Sequence, residues 1–200
     1  MARVARPTQL STLVRKKGVI SERALIDAVA GEPVRGSWWG HRSGKAIFRA
    51  LETLHDDRDV FLCKLLAGKQ TYVHRRLKPA LLRLQAEASL WPTLSTAALQ
   101  LLSRVEREGA VPATGPLRLE LERSLKVAAR SEHTASGAHR VVLTPFQVHF
   151  SNAHRAAARR LTLAQAQAAL AADAQGMAEA RVLSGSARRG RGTVRRAVRQ

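Results

Sequence analysis

The feature that most constrains the fold is a tight turn set inside an apolar run. Val60-Phe61-Leu62-Cys63-Lys64-Leu65-Leu66 and Gln70-Thr71-Tyr72-Val73-His74-Arg75-Arg76 flank Ala67-Gly68-Lys69. β-branched and aromatic residues on both sides of a glycine-containing turn predict two antiparallel strands joined as a hairpin. Just upstream, Ile47, Phe48, Leu51 and Leu54 recur at helical spacing. That spacing predicts a helix from roughly Ser43 to His55, ended by Asp56-Asp57-Arg58-Asp59.

Two shorter helices precede this unit. Leu10, Leu13 and Val14 mark one that Pro7 opens and Gly18 ends. Ser21 begins the next, with Ala24, Leu25, Ala28 and Val29 as its apolar face, and Gly31-Glu32-Pro33 breaks it. The order helix, helix, helix, strand, strand over residues 7–77 is that of a winged helix. In that fold the third helix enters a DNA major groove and the hairpin, the wing, lies on the neighbouring backbone.

Residues 78–90 predict a further helix through Leu81, Leu82 and Leu84. The order then recurs in shorter form. One helix carries Leu99, Leu102 and Val105, and one from Pro116 carries Leu117, Leu121 and Leu125. Lys126 to Arg130 and His139 to Leu143 follow as strands around a polar turn from Ser131 to Gly137. The expected fold class is therefore mainly α with small β-hairpins (α+β), as tandem winged-helix-like modules. Their expected bounds are 1–90 and 91–160, followed by an alanine-rich helix within 161–176, after a loop at Ser151-Asn152. The expected last segment, 177–200, is Arg-rich: from Ala180 to Gln200 it has seven arginines and no acid, a composition that predicts a disordered basic tail.

Charge narrows the partners. Thirty-four Lys and Arg stand against 15 Asp and Glu, for a formal net charge of +19. Such an excess calls for a polyanion: double-stranded DNA first, RNA as the alternative nucleic acid, and acidic membrane surfaces or a polyanionic protein behind them, since winged helices also dock on proteins. The third helix offers Arg42, Ser43, Lys45 and Arg49 for the groove. The hairpin offers Lys64, Lys69, His74, Arg75 and Arg76 for phosphates, and the tail adds Arg188, Arg189 and Arg191. Of the adjacent Trp38 and Trp39, at least one is expected in the core, and Tyr72 is expected to pack. The single cysteine, Cys63, fits a reducing compartment, and no apolar run suggests a signal or a membrane span, so the expected location is cytoplasmic. The seven scattered histidines, His149 and His154 among them, lack metal-ligand spacing. Asp56, Asp57 and Asp59 read as turn residues. No catalytic, cofactor or metal constellation emerges.

GSWWGHRSGKAIF, DVFLCKLLAGKQTYVHRRLKPALLRL and SEHTASGAHRVVL together resemble a family of small bacterial proteins. That family is in turn similar to the winged-helix repeats of AlkZ-type DNA glycosylases. The resemblance implies DNA binding, with removal of damaged bases as the enzymatic alternative. The glycosylases' glutamine motif near the N-terminus has no counterpart here. Gln165-Ala166-Gln167 has a similar spelling but sits late, in the alanine-rich helix, so no catalytic residue carries over. Lys78 stands where the family pattern has an aromatic.

Overall fold

The computed structural model describes residues 7–133 and 139–174. It is an α+β protein. Among the described residues there are eight α-helices and two three-stranded antiparallel sheets.

The first half runs α1 (Pro7–Lys17), β1 (Val19–Ser21), α2 (Glu22–Ala30), α3 (Gly44–His55), β2 (Val60–Leu66) and β3 (Lys69–His74), and its three strands pair in the order β1-β3-β2. Gly18, at φ 69°, turns the chain from α1 into β1. The stretch expected to be a plain connector is thus a strand, with Val19 opposite Val73 and Ser21 opposite Thr71. Ser21 then caps α2, its hydroxyl accepting the Ala24 N–H at 3.3 Å. The second half runs α5 (Thr96–Glu108), β4 (Val111–Pro112), α6 (Gly115–Arg123), β5 (Val127–His133) and β6 (His139–Pro145), and its three strands pair in the order β4-β6-β5. Both sheets therefore share one connectivity: the last strand lies in the middle, between the first and the second.

Several boundaries differ from expectation. β3 stops at His74, and Arg75 and Arg76 lie in a 3₁₀ turn, Arg75–Leu77. The helix expected over 78–90 is α4 (Lys78–Gln85), with a separate 3₁₀ turn at Ala88–Leu90. The loop expected at Ser151-Asn152 starts a helix instead. Ser151 caps α7 (Asn152–Arg159) through a reciprocal hydrogen-bonded box with His154. The alanine-rich helix is α8 (Leu163–Asp173), capped by Thr162 and Gln165. The expected tail lies outside the described residues.

The first sheet is buried on both faces. Ile20, Tyr72, Val60 and Leu62 pack beneath α1, α2 and α3. Val19, Phe61, Cys63 and Val73 turn the other way, into a cluster shared with Leu81 and Leu84 of α4, Leu125, Phe146 and Phe150, Ala158 of α7 and Leu170 of α8. Each leucine fully buried there stabilises the fold by roughly 1.5–3 kcal/mol before the cost of ordering it. This largest cluster draws on both sides of residue 90. Among the described residues, no helix is long and apolar enough to cross a membrane.

Candidate nucleic-acid interface

α3 has a sharp division of faces. Ile47, Ala50, Leu51 and Leu54 are buried against the sheet and the first two helices. Lys45 and Arg49, one turn apart, project from the opposite side and are exposed. Among the described residues, neither has an ion-pair partner. Glu52, also exposed, follows further along the helix.

Beside this face stands an aromatic shelf. Ser37 opens a 3₁₀ turn, Trp38–Gly40, by accepting the Trp39 N–H. Trp38 packs on the core and stacks on Trp39 at 4.1 Å, as expected for one anchored indole. Trp39 itself is 68% exposed and lies 5.8 Å from the ring of Phe48, which is also exposed. Gly44 permits the approach, because a Cβ there would sit 3.0 Å from the Trp39 carbonyl oxygen. Trp39, Gly44, Lys45, Phe48 and Arg49 together line a shallow hollow of about 350 Å³. Tyr72 packs as expected. It is buried, burial pushes its phenol well above the ordinary range, and its hydroxyl meets His55 Nε2 at 3.1 Å.

Arg42 and Ser43 differ from their neighbours. Arg42 pairs with Glu32 at 2.8 Å, though it remains largely exposed. Such a surface pair stabilises by about 0–1 kcal/mol and exchanges readily for a phosphate. Ser43 is half-buried, its N–H donating to His41 Nδ1 at 3.2 Å, and its side chain makes no cap bond to α3.

The hairpin is not a free wing. A bulge between Cys63 and Leu66 displaces Lys64, which is half-buried and attracts the Glu22 and Glu122 carboxylates. Burial holds both carboxyls above their ordinary range, and Lys64 pulls them back down. The turn packs on the second half of the chain, where a Cβ on Gly68 would meet the Arg123 side chain at 3.1 Å. Lys69 is exposed beside that turn. Arg75 pairs with Asp59 at 3.2 Å and Arg76 with Asp173 at 2.7 Å, while His74 is buried. Of the cations expected on one wing, Arg75 and Arg76 are thus held in ion pairs, Lys64 is drawn to two carboxylates, and Lys69 stays exposed at the turn. Arg188, Arg189 and Arg191 lie outside the described residues.

Other features have structural roles. Asp57 accepts from the Ser11 hydroxyl at 2.6 Å and from the Asp59 N–H at 2.8 Å, fixing the turn after α3. Cys63 is buried, which pushes its thiol up to about 12 and leaves it unreactive at neutral pH. Among the described residues, no three His, Cys, Asp or Glu side chains converge as a metal site. Sequence reasoning passed over exposed cations that the fold gathers elsewhere: Arg15, Lys16 and Lys17 at the end of α1, and Arg159 on α7. The run Arg15-Lys16-Lys17 was a visible signal.

No protein-family model, curated protein or solved structure matches the chain.

Proposed function

We propose that the chain binds double-stranded DNA through α3, and that its first half works as a winged-helix-like module whose recognition helix is better exposed than its wing. The carrying observation is the pair Lys45 and Arg49, without ion-pair partners among the described residues, on the outer face of a helix whose other face is core. Support comes from the element order and from the first–last–middle strand order of the sheet. The positive end of the α3 dipole adds to the attraction for phosphate. Salt titration of duplex binding, followed by fluorescence anisotropy, tests the reading. Lys45→Ala with Arg49→Ala should weaken binding roughly tenfold and flatten the log–log salt slope by about 1–2. A double variant with wild-type affinity and slope would overturn it, as would a wild-type chain that ignores duplex in dilute salt.

The exposed Trp39 beside Phe48 favours a second reading, an unpaired base stacked in the hollow as in RNA loops. Competition between duplex DNA and structured RNA at matched salt separates the two. Trp39→Ala should cost RNA binding more than duplex binding only on the second reading.

A further inference from the structure

The junction of α4 and α7 carries positive charge that neither the packing nor the α3 interface uses. Arg83 of α4 and Arg155 and Arg159 of α7 line a hollow of about 210 Å³, floored by the buried Ala158. Two of the three guanidiniums are tethered by backbone carbonyls. Arg83 Nε donates to the Leu161 carbonyl at 3.2 Å, and Arg155 donates to the Gln147 carbonyl at 2.9 Å. Gln147 is itself tied to Gln85 at 2.7 Å, so the wall is fixed from both helices. Glu87, 3.6 Å from Arg83, is the carboxylate that pairs at this junction.

Two features are unfavourable unless an anion is present. Arg155 and Arg159 stand one turn apart on the same side of α7, a like-charge pair that weakens a helix. Arg155 Nε is buried and has no hydrogen-bond partner among the described residues, a desolvated donor on a charged group. Arg159 is exposed and has no ion-pair partner among the described residues. Guanidinium forks match the oxygens of a phosphate, and a buried N–H beside them supplies a short, water-shielded contact.

We propose that this hollow binds a phosphate group, held between Arg155 and Arg159 with Arg83 closing the α4 side. The site is separate from α3 and stands whether or not α3 binds DNA. The phosphate can belong to a nucleic-acid backbone or to a small phosphorylated molecule, and the chemistry of recognition is the same for both.

The test uses the full chain and inorganic phosphate as probe, with thermal melts in phosphate and in chloride at matched ionic strength. Phosphate stabilises many proteins by exclusion from their surface, so the readout is the difference between wild type and variants. Wild type should gain roughly 3 °C over Arg159→Ala in phosphate at about tenfold excess over its dissociation constant. Arg159 is exposed, so that variant should fold normally. Arg155→Lys keeps the charge but removes the fork and should lose most of the same gain. Equal phosphate shifts in all three proteins would overturn the proposal. Lys45→Ala with Arg49→Ala should keep the full phosphate shift, which separates this site's failure from that of the α3 reading. A weaker, less salt-dependent affinity of Arg159→Ala for duplex DNA would assign the phosphate to a nucleic-acid backbone. Unchanged duplex affinity with the phosphate gain lost would assign it to a small ligand.

Discussion

The two halves of the chain share a connectivity and differ in one insertion. Both run helix, strand, helix and hairpin, with the last strand in the middle of the sheet. Between its second helix and its hairpin the first half places α3, with the tryptophan turn ahead of it. The second half passes from α6 to β5 through Ser124, Leu125 and Lys126 alone. The consequence is visible in the cores. The first half buries Leu10, Leu25, Ile47, Leu54 and Tyr72 beneath its own three helices. Beneath α5 and α6 the second half buries only a small cluster around Val105, Leu121 and Leu143, and Leu99 of α5 is 49% exposed. One added helix thus does two jobs: it completes a core, and it presents a basic outer face that the second half has no element to match.

The largest expected effect probes how far the thinner half depends on the shared cluster. Leu125 is fully buried there although its φ is +51°, a conformation that costs a leucine roughly 1–2 kcal/mol. Leu125→Gly relieves that strain but empties a core site, which costs about 3–5 kcal/mol. The net loss should be roughly 2–3 kcal/mol. All three tryptophans, Trp38, Trp39 and Trp91, precede α5, so fluorescence reports the first half and the junction. If the shared cluster couples the halves, fluorescence and far-ultraviolet circular dichroism should show the same lowered midpoint. Fluorescence that melts at the wild-type midpoint would show that the halves unfold independently.

The parts of the fold that were legible in the sequence are those with a period. α3 and the β2–β3 hairpin announce themselves through Ile47, Leu51 and Leu54 and through the strands around Ala67-Gly68. β1 and β4, of three and two residues, are too short to show alternation, and only pairing with β3 and β6 makes them strands. α7 lacks an apolar stripe beyond its alanines, and its start was hidden in a serine that also reads as loop. Of the candidate site, the sequence set Lys45 and Arg49 at angles away from the apolar side of α3, and both are exposed there. The fate of the other cations was not readable, because their partners are distant in sequence. Arg76 meets Asp173 across 97 positions, and Lys64 faces carboxylates from both halves.

Lys64 sharpens the comparison, since it faces one carboxylate from each half, Glu22 and Glu122. Lys64→Met should cost roughly 1 kcal/mol at neutral pH, between the values for exposed and buried pairs. The pH dependence carries more information. Burial raises the folded-state pKa of Glu22 and Glu122 above the ordinary 4.5, so the folded chain takes up their protons more readily than the unfolded one. The stability linked to those protons is fully present below 4.5 and is lost as the pH rises through the folded values. Removing Lys64 raises the folded values further. The deficit of the variant should therefore be larger at pH 7 than near pH 4, as measured by denaturant midpoints at the two pH values. An equal deficit at both would mean that Lys64 acts through its aliphatic stem alone.

The smallest effect separates two residues that share an unusual backbone. Ala67 at φ +48° and Gly68 at φ +69° form the central pair of a two-residue hairpin turn, closed by the pairing of Leu66 with Lys69. Both central positions need positive φ, and asparagine tolerates it far better than alanine because its side chain bonds locally to the backbone. Ala67 is exposed. Ala67→Asn should therefore stabilise the chain by roughly 0.5–1 kcal/mol, seen as a higher denaturant midpoint with an unchanged slope. The same backbone sign at Leu125 tolerates no such relief, because there the side chain is core. A destabilised Ala67→Asn would mean that the turn is held by its packing on Arg123 rather than by its own conformation, and that the first hairpin takes its register from the second half.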